Sequence, residues 1–306
     1  MIISLANTKE PLYLINRPGN VPSHTDAARW IDAAIAWVQP HTPRVCLRGD
    51  TDFSLTTQFD RWAESVDFIF GMDCSRPLRA AAEGLDETAW QRLDRPATYR
   101  PLTAPPRDRE RCQPHEKDRL IQERGYLKLT LQGEPVAEFR YQPGACQRPY
   151  RVIALRQNIS RQKGEQALFD ESRYFFYSTT RTDLTAAEVV FCANDRCDQE
   201  NLIEQLKNGG RALRVPVYDL ISNNAYMVMA ALAWSFKAWF ALMMHQLSER
   251  RRYLRMEFPR FLHSVILIPC RVVRRARGIT LRLLGYRPTV ERLISAWQTI
   301  ERLHFG

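Results

Sequence analysis

The chain has 306 residues, with 44 Lys and Arg against 34 Asp and Glu, so its net charge is +10 at pH 7. A chain of this length can bury a substantial core, and it suits one large domain or a domain with an insertion better than several small ones. The excess of cations indicates polyanionic partners, although many basic soluble proteins bind no nucleic acid. Charge by itself therefore leaves the partner open.

The cysteines and the missing motifs exclude several classes of protein. Seven cysteines lack the density of a disulfide scaffold, which predicts reduced thiols and a cytoplasmic protein. Cys192 and Cys197 have no second Cys or His pair at ligand spacing, so we expect no zinc site. Neither a Walker loop nor a dinucleotide fingerprint is present, which argues against a nucleotide-binding enzyme.

The first seventy residues predict alternating strands and helices. In chain order, we expect strands at 2–6 and 11–15, a helix from Ser23 to Pro40, a strand ending at Asp50, a helix at about 55–65 and a strand at 67–71.

Asp50 is the first candidate site residue. It follows the short apolar run Val45–Leu47, and Gly49 breaks that run just before it. An acid at the end of a buried strand lies at the carboxyl edge of its sheet, where open α/β sheets place their sites. Asp52 is a weaker candidate, because it shares a face with Asp50 only if the strand continues.

The middle of the chain changes character. Residues near 100 to 118 are rich in Pro and charge and predict an exposed linker. Strands are predicted at 126–131, 136–141, 150–155 and 174–180. Basic residues beside them could follow DNA phosphates or form a solvated strand edge that blocks aggregation: Arg148, Arg151, Arg156, Arg161 and Lys163.

A second acid lies in a predicted helix from Asn194 to Lys207. Leu202, Ile203 and Leu206 form its apolar stripe, and Gly209 and Gly210 end it. Four charged residues are spaced by three or four and therefore share roughly one face of the helix: Arg196, Glu200, Glu204 and Lys207. The face taken alone also suits a solvated helix stabilised by ion pairs.

The last eighty residues are apolar and then basic. Residues 225–244 are long enough for a membrane span, but Lys237 interrupts them, and we expect no membrane. The following region predicts helices that contact DNA or are merely solvated. Its arginines include Arg251, Arg252, Arg274 and Arg275.

Five segments of the chain are specific in combination. They are SLANTKEPLYLINRPGN, LRGDTDFSLTTQFDRW, FIFGMD, NDRCDQENLIEQLKNG and NNAYMVMAALAWSFKAW. Together they resemble the DDE transposases of bacterial insertion sequences with a group-1 DDE domain. Arg196, Glu200 and Lys207 match the Arg-x3-Glu-x6-Lys spacing around the catalytic Glu of that family.

The resemblance implies an α/β fold: a ribonuclease-H-like core lacking its first strand, a β-rich insertion and a helical basic C-terminal region. The expected segments are 1–72 and 171–245 for the core, 73–170 for the linker and insertion, and 246–306 for the basic region. It also implies that Asp50 and Glu200 are catalytic Mg²⁺ or Mn²⁺ ligands, and that Arg196 and Lys207 hold DNA phosphates or orient the acid.

The expected activity is DNA cleavage and strand transfer at transposon ends and target DNA. Because the family's first catalytic Asp precedes the LANT segment, which here stands close to Met1, we expect an N-terminally truncated form with an incomplete triad. The alternative is a non-catalytic DNA-binding remnant or a partner of a full-length transposase. A homo-oligomer is a further expectation from the family.

Overall fold

The computed structural model describes residues 1–95, 128–163, 166–195, 197–214, 216–276, 278–284 and 288–303. The chain forms two compact units, one of residues 1–41 with 195–306 and one of residues 42–194. The protein has helices and a mixed sheet, which is compatible with the predicted α/β class. The predicted linker near 100–118 lies outside the described residues.

The elements are numbered in chain order within the described residues. The strands are β1 (Ile2–Ser4), β2 (Pro11–Leu14), β3 (Cys46–Gly49), β4 (Asp67–Met72), β5 (Gln91–Arg92), β6 (Lys128–Gly133), β7 (Pro135–Tyr141), β8 (Tyr150–Lys163), β9 (Gln166–Thr179), β10 (Cys270–Arg275) and β11 (Gly278–Leu283). The α-helices are α1 (Ala27–Val38), α2 (Thr56–Trp62), α3 (Arg76–Glu83), α4 (Ala186–Asn194), α5 (Cys197–Glu204), α6 (Leu220–Leu242), α7 (Leu247–Arg255), α8 (Phe258–Phe261) and α9 (Pro288–Glu301).

The unit of residues 42–194 contains a seven-stranded sheet in the order β3-β4-β9-β8-β7-β5, with β6 paired to β8. Strands β3 and β4 are parallel, and the other pairings are antiparallel. Helix α2 covers this sheet with Phe59 and Trp62, which stack against Phe70. Phe59, Phe70 and Trp62 are each at most 2% exposed, so this aromatic contact fixes α2 beside β4.

Strands β8 and β9 form a hairpin longer than the sequence predicts. Their pairing continues from Arg151 opposite Thr179 to Lys163 opposite Gln166. The apolar alternation ends near Leu155, where polar residues begin, so sequence periodicity stops before the ladder does. Backbone hydrogen bonding extends the strands beyond the part that packs on the core.

The other unit is mainly helical. Strands β1 and β2 pair only with each other within the described sheets, as a two-stranded antiparallel sheet. Leu14 of β2 packs in a cluster with Leu202, Leu206, Trp234 and Phe258. The Trp234 indole N–H also donates to the Lys9 carbonyl at 2.8 Å. These contacts attach the first hairpin to α5 and α6.

The prediction of a helical C-terminal region is wrong for residues 270–275 and 278–283. These residues form the antiparallel hairpin β10–β11. The β-branched pairs Val272-Val273 and Ile279-Thr280 flank Gly278, a pattern that favours two strands joined by a turn. The helical expectation came from the family resemblance, but the β-branched residues of this segment favour strands.

Helix α6 is, among the described helices, the one that by length and composition could cross a membrane. One side is packed: Trp234, Lys237 and Ala241 are at most 3% exposed. Lys237 Nζ donates to the Leu254 carbonyl at 3.0 Å and lies 4.1 Å from the Trp234 ring centroid. Burial lowers the pKa of Lys237 to about 8, and nearby Lys9 adds to the effect. Packing against α7 and the first hairpin therefore accounts for this side of α6.

Candidate active site

Asp50 directly follows β3 at the carboxyl end of the parallel pair β3–β4, as the sequence predicts. The chain then turns into a short 3₁₀ helix, Thr51–Phe53, in which the Phe53 N–H donates to the Asp50 carbonyl at 3.1 Å. The Asp50 side chain is half-buried. A carboxylate is thus positioned at the sheet edge where open α/β sheets place their sites.

Two glycines allow the chain to pack tightly around Asp50. A Cβ on Gly49 would lie 2.8 Å from Cε1 of Phe70, and one on Gly71 would lie 3.3 Å from the Thr51 backbone nitrogen. Because a side chain at either position would come too close to these atoms, both positions favour glycine. The backbone that carries Asp50 is held against β4 with little room to move.

Asp52 lies in the 3₁₀ helix and is exposed. Because β3 ends at Gly49, strand alternation does not extend to Asp52. The condition under which Asp52 would share a face with Asp50 is not met. Asp52 is instead a natural control for charge at this sheet edge.

Glu200 lies on α5, and its side chain is exposed. The opposite side of the helix is anchored by Leu202 and Leu206, which are 2% and 0% exposed. Ile203, predicted within the same apolar stripe, is 37% exposed, because it lies about 100° around the helix from Leu202. Helix packing thus leaves the Glu200 face open to solvent.

The helix ends in a π-helical turn, Gln205–Gly209, that the sequence does not predict. Lys207 lies in this turn and is exposed. A Cβ on Gly209 would lie 3.0 Å from Phe258 Cβ, and Gln205 Oε1 accepts from the Phe258 N–H at 2.9 Å. Gly209 thus allows α8 to pack here, and π turns often mark functional sites. In the sequence, the pair Gly209-Gly210 was the feature that could have indicated an irregular end to this helix.

Arg196 lies outside the described residues, so its predicted role stays a prediction. Asp50 belongs to one compact unit and Glu200 to the other. Within the described part of the chain, no group of three or more Asp, Glu, His and Cys side chains could hold a metal ion. As hard oxygen donors, both carboxylates chemically suit Mg²⁺ or Mn²⁺.

Arg151, a predicted DNA contact, is engaged inside the sheet unit. Its Nη1 donates to the carbonyls of Arg181 and Leu184 at 2.8 and 2.7 Å, and its Nε donates to Glu138 Oε2 at 3.0 Å. The side chain is 14% exposed. These bonds join β8 to the segment after β9 and give Arg151 a clear structural role.

Arg148, the neighbouring candidate, is half exposed and belongs to a smaller network. Its Nε donates to Tyr150 Oη at 3.2 Å, and Tyr150 in turn donates to Asp60 Oδ1 at 2.6 Å. Burial, with the Asp60 bond second, raises the pKa of Tyr150 to about 12. Tyr150 therefore stays protonated at neutral pH and connects β8 to α2.

The C-terminal candidates are more accessible. Arg251 and Arg252 on α7, and Arg274 and Arg275 on β10, are all exposed. Arg252 lies in the last turn of α7, near the negative end of the helix dipole, which suits a cation. These four arginines are available to a polyanion.

The comparison with protein families identifies the class of protein. The model for the transposase DDE domain, group 1, matches residues 4–305, so the chain belongs to that family. A search of curated proteins found no match. Family membership implies transposase function in DNA transposition and recombination, with DNA as partner, and the family generally uses divalent metal ions.

Proposed function

We propose that this protein cleaves DNA and transfers strands at the ends of an insertion sequence, by metal-dependent chemistry at phosphodiester bonds. The observation that carries the proposal is the family match over residues 4–305, together with the position of Asp50 after a strand of a parallel pair. That position supports the assignment of a ribonuclease-H-like core to which β3 and β4 belong.

In this proposal, Asp50 and Glu200 are metal ligands. Their carboxylates are oxygen donors of the type that Mg²⁺ and Mn²⁺ select. Bound divalent ions would activate a water or a 3′-hydroxyl and stabilise the leaving oxygen in an in-line displacement at phosphorus. The protein's own part is to hold each acid on a fixed backbone, at the end of β3 and on the exposed face of α5.

Cations complete the proposed site. Lys207 is exposed in the π turn that follows α5, so its ammonium group is available to a phosphate oxygen. Arg196, four residues before Glu200 in the sequence, is proposed for the same task. Arg251 and Arg252 would hold DNA away from the reacting phosphate.

The remaining expectations stay proposals. They are a β-rich insertion within residues 73–170, a basic region at 246–306, assembly into a homo-oligomer and a cytoplasmic location, where the chromosomal DNA of a bacterium is accessible. Arg148 could add a phosphate contact through its exposed half, whereas Arg151 is better explained by its bonds within the sheet unit.

The test is a cleavage assay with matched variants. The substrate is a supercoiled plasmid carrying both DNA segments that flank the protein's own gene, incubated with Mg²⁺ or Mn²⁺. We expect nicking at the element ends, reduced about 100-fold or more by Asp50→Asn and by Glu200→Gln, a loss of about 2.7 kcal/mol of transition-state stabilisation. Asp52→Asn and Glu204→Gln remove neighbouring exposed acids and should retain activity.

Manganese binding gives a second measurement that does not depend on turnover. Titration with Mn²⁺, followed by electron paramagnetic resonance, should show weaker binding in Asp50→Asn than in Asp52→Asn. Nicking that survives in Asp50→Asn and Glu200→Gln would contradict the assignment, and so would equal loss in all four variants.

A further inference from the structure

We call the hairpin β10–β11, Cys270–Leu283, the arm. Its strands pair from Cys270 opposite Leu283 to Arg275 opposite Gly278, and the Leu284 N–H donates to the Pro269 carbonyl at its base. Every described residue of the arm is exposed except the half-buried Val273. A two-stranded hairpin alone is at best marginally stable in water, so the arm is expected to gain stability from a partner.

Strand alternation gives the arm two different faces. One face is mainly apolar, with exposed fractions of 42–66% at Val272, Ile279, Leu281 and Leu283. It also carries Cys270 and Arg274. The other face is cationic and carries Arg271, Val273, Arg275, Thr280 and Arg282. A partner of the arm must therefore accept both apolar and cationic side chains.

The cationic face lacks anions of its own. Arg271 lies directly opposite Arg282, and Cβ atoms of such cross-strand pairs are about 4.5–5.5 Å apart, close enough for like charges to destabilise the pair. Over the part of the chain that the structure describes, no hydrogen bond or ion pair joins Arg271, Arg275 or Arg282 to another side chain. The repulsion is relieved if external anions neutralise the two arginines.

We propose that the arm is a β-ribbon that lies in the major groove of duplex DNA. This inference rests on the proposed function, which supplies DNA as the partner. The major groove is about 12 Å wide and admits a two-stranded ribbon. The apolar face would meet base edges and thymine methyl groups.

The arginines then contact the two walls of the groove. Arg271 and Arg282 lie on different strands and on the face turned away from the bases, so each long side chain would extend past its own edge of the ribbon to the phosphates on that side. A guanidinium group binds phosphate in a bidentate way, which lysine cannot reproduce. The arm therefore contributes affinity through phosphates and leaves the chemistry to the acidic residues.

The test measures duplex affinity as a function of salt concentration. Fluorescence anisotropy with a labelled duplex of about 30 base pairs compares the whole protein with the double variant Arg271→Ala, Arg282→Ala. We expect the slope of log K against log salt to become shallower by about 1.8, since each lost phosphate contact removes about 0.9. At about 0.1 M salt, affinity should fall about 10- to 100-fold.

One control variant and one further arm variant isolate the arm. Arg92→Ala with Arg140→Ala removes the same charge from exposed strand positions in the sheet unit and should keep the wild-type affinity within about twofold. Leu281→Ser tests the apolar face: it should lower duplex affinity and leave the sedimentation coefficient unchanged. Circular dichroism checks that each variant is folded.

Each outcome decides between the hypotheses. If the wild type binds DNA and both double variants bind as tightly, the arm proposal is overturned while the proposed function stands. Equal losses in both double variants would indicate diffuse charge and also overturn the arm. If Leu281→Ser abolishes self-association without affecting DNA, the apolar face binds a second copy and the arm proposal is overturned. If the wild type does not bind DNA, the proposed function fails first and the arm proposal with it.

Discussion

The arginines of the seven-stranded sheet and those of the arm differ in their partners. In the sheet unit, Arg156 is bidentate to Glu87, with its guanidinium carbon 4.4 Å from the Trp90 ring centroid, and Arg44 bonds to Asp67 and Asp183. On the arm, Arg271 faces Arg282 instead of a carboxylate. The comparison shows that a basic composition conceals two populations, one that stabilises the fold and one available to a polyanion.

The largest effect on stability is expected at Arg151. Arg151→Ala should lower the free energy of unfolding by about 2–3 kcal/mol, because it leaves the carbonyls of Arg181 and Leu184 without their donors and breaks the bond to Glu138. Urea unfolding measures this loss.

The control for that prediction is Arg140→Ala. Arg140 lies directly across from Arg151 in the β7–β8 ladder but is exposed, so its removal should change stability by less than about 0.5 kcal/mol. Equal stabilities of the two variants would show that the buried bonds of Arg151 contribute little. The claim that the arginines of the sheet unit stabilise the fold would then fail.

Lys237 is intermediate between the paired arginines of the sheet unit and the arginines of the arm, because it is a buried cation bonded to a carbonyl oxygen and not to a carboxylate. Its pKa falls from 10.5 to about 8 in the fold, so the unfolded state holds the proton more firmly and stability rises as pH increases from about 8 to 10.5. Relative to Lys237→Met, the wild type should gain about 1–2 kcal/mol between about pH 7.5 and 9.5.

Urea unfolding of both proteins at the two pH values tests that gain. Lys207→Met, which removes an exposed lysine from the same unit, reports the general effect of losing a lysine. A difference between wild type and Lys237→Met that stays constant with pH would rule out the buried ammonium as its cause.

The smallest effect is expected at Arg79. It pairs with Glu83 one turn along α3 at 2.8 Å, and both side chains are about half exposed. Solvent screens such pairs, so Arg79→Ala should leave the urea midpoint unchanged within error. Arg156→Ala removes an arginine that is only 17% exposed, and it should lower the urea midpoint clearly. Similar midpoint shifts in the two variants would mean that burial does not determine how much each arginine contributes to stability.

Local pattern predicted most of the secondary structure. The β1–β2 hairpin, α1, β3, α2, β4 and the helix of Glu200 all lie where apolar periodicity and turn residues indicate. Asp50 also lies where the sequence places it, because an apolar run ended by Gly49 determines the end of β3. These features depend on short stretches of chain, which sequence pattern reports directly.

Two of the features that the sequence did not predict depend on contacts distant in the chain. The π turn after α5 packs against Phe258, about fifty residues later, and the bonds of Arg151 reach Arg181 and Leu184. The arm is different, because its β-branched residues lie close together in the chain, and it was missed because the family resemblance implied helices there. Whether an arginine has a partner is decided by tertiary packing, which composition does not report.

The most direct test of the account measures two quantities on two variants: unfolding free energy and duplex DNA affinity for Arg151→Ala and for Arg271→Ala, Arg282→Ala. The account predicts crossed results, with stability lost and affinity retained in the first, and affinity lost and stability retained in the second. If both variants lost DNA affinity to the same extent, the division between structural and DNA-binding arginines would be contradicted.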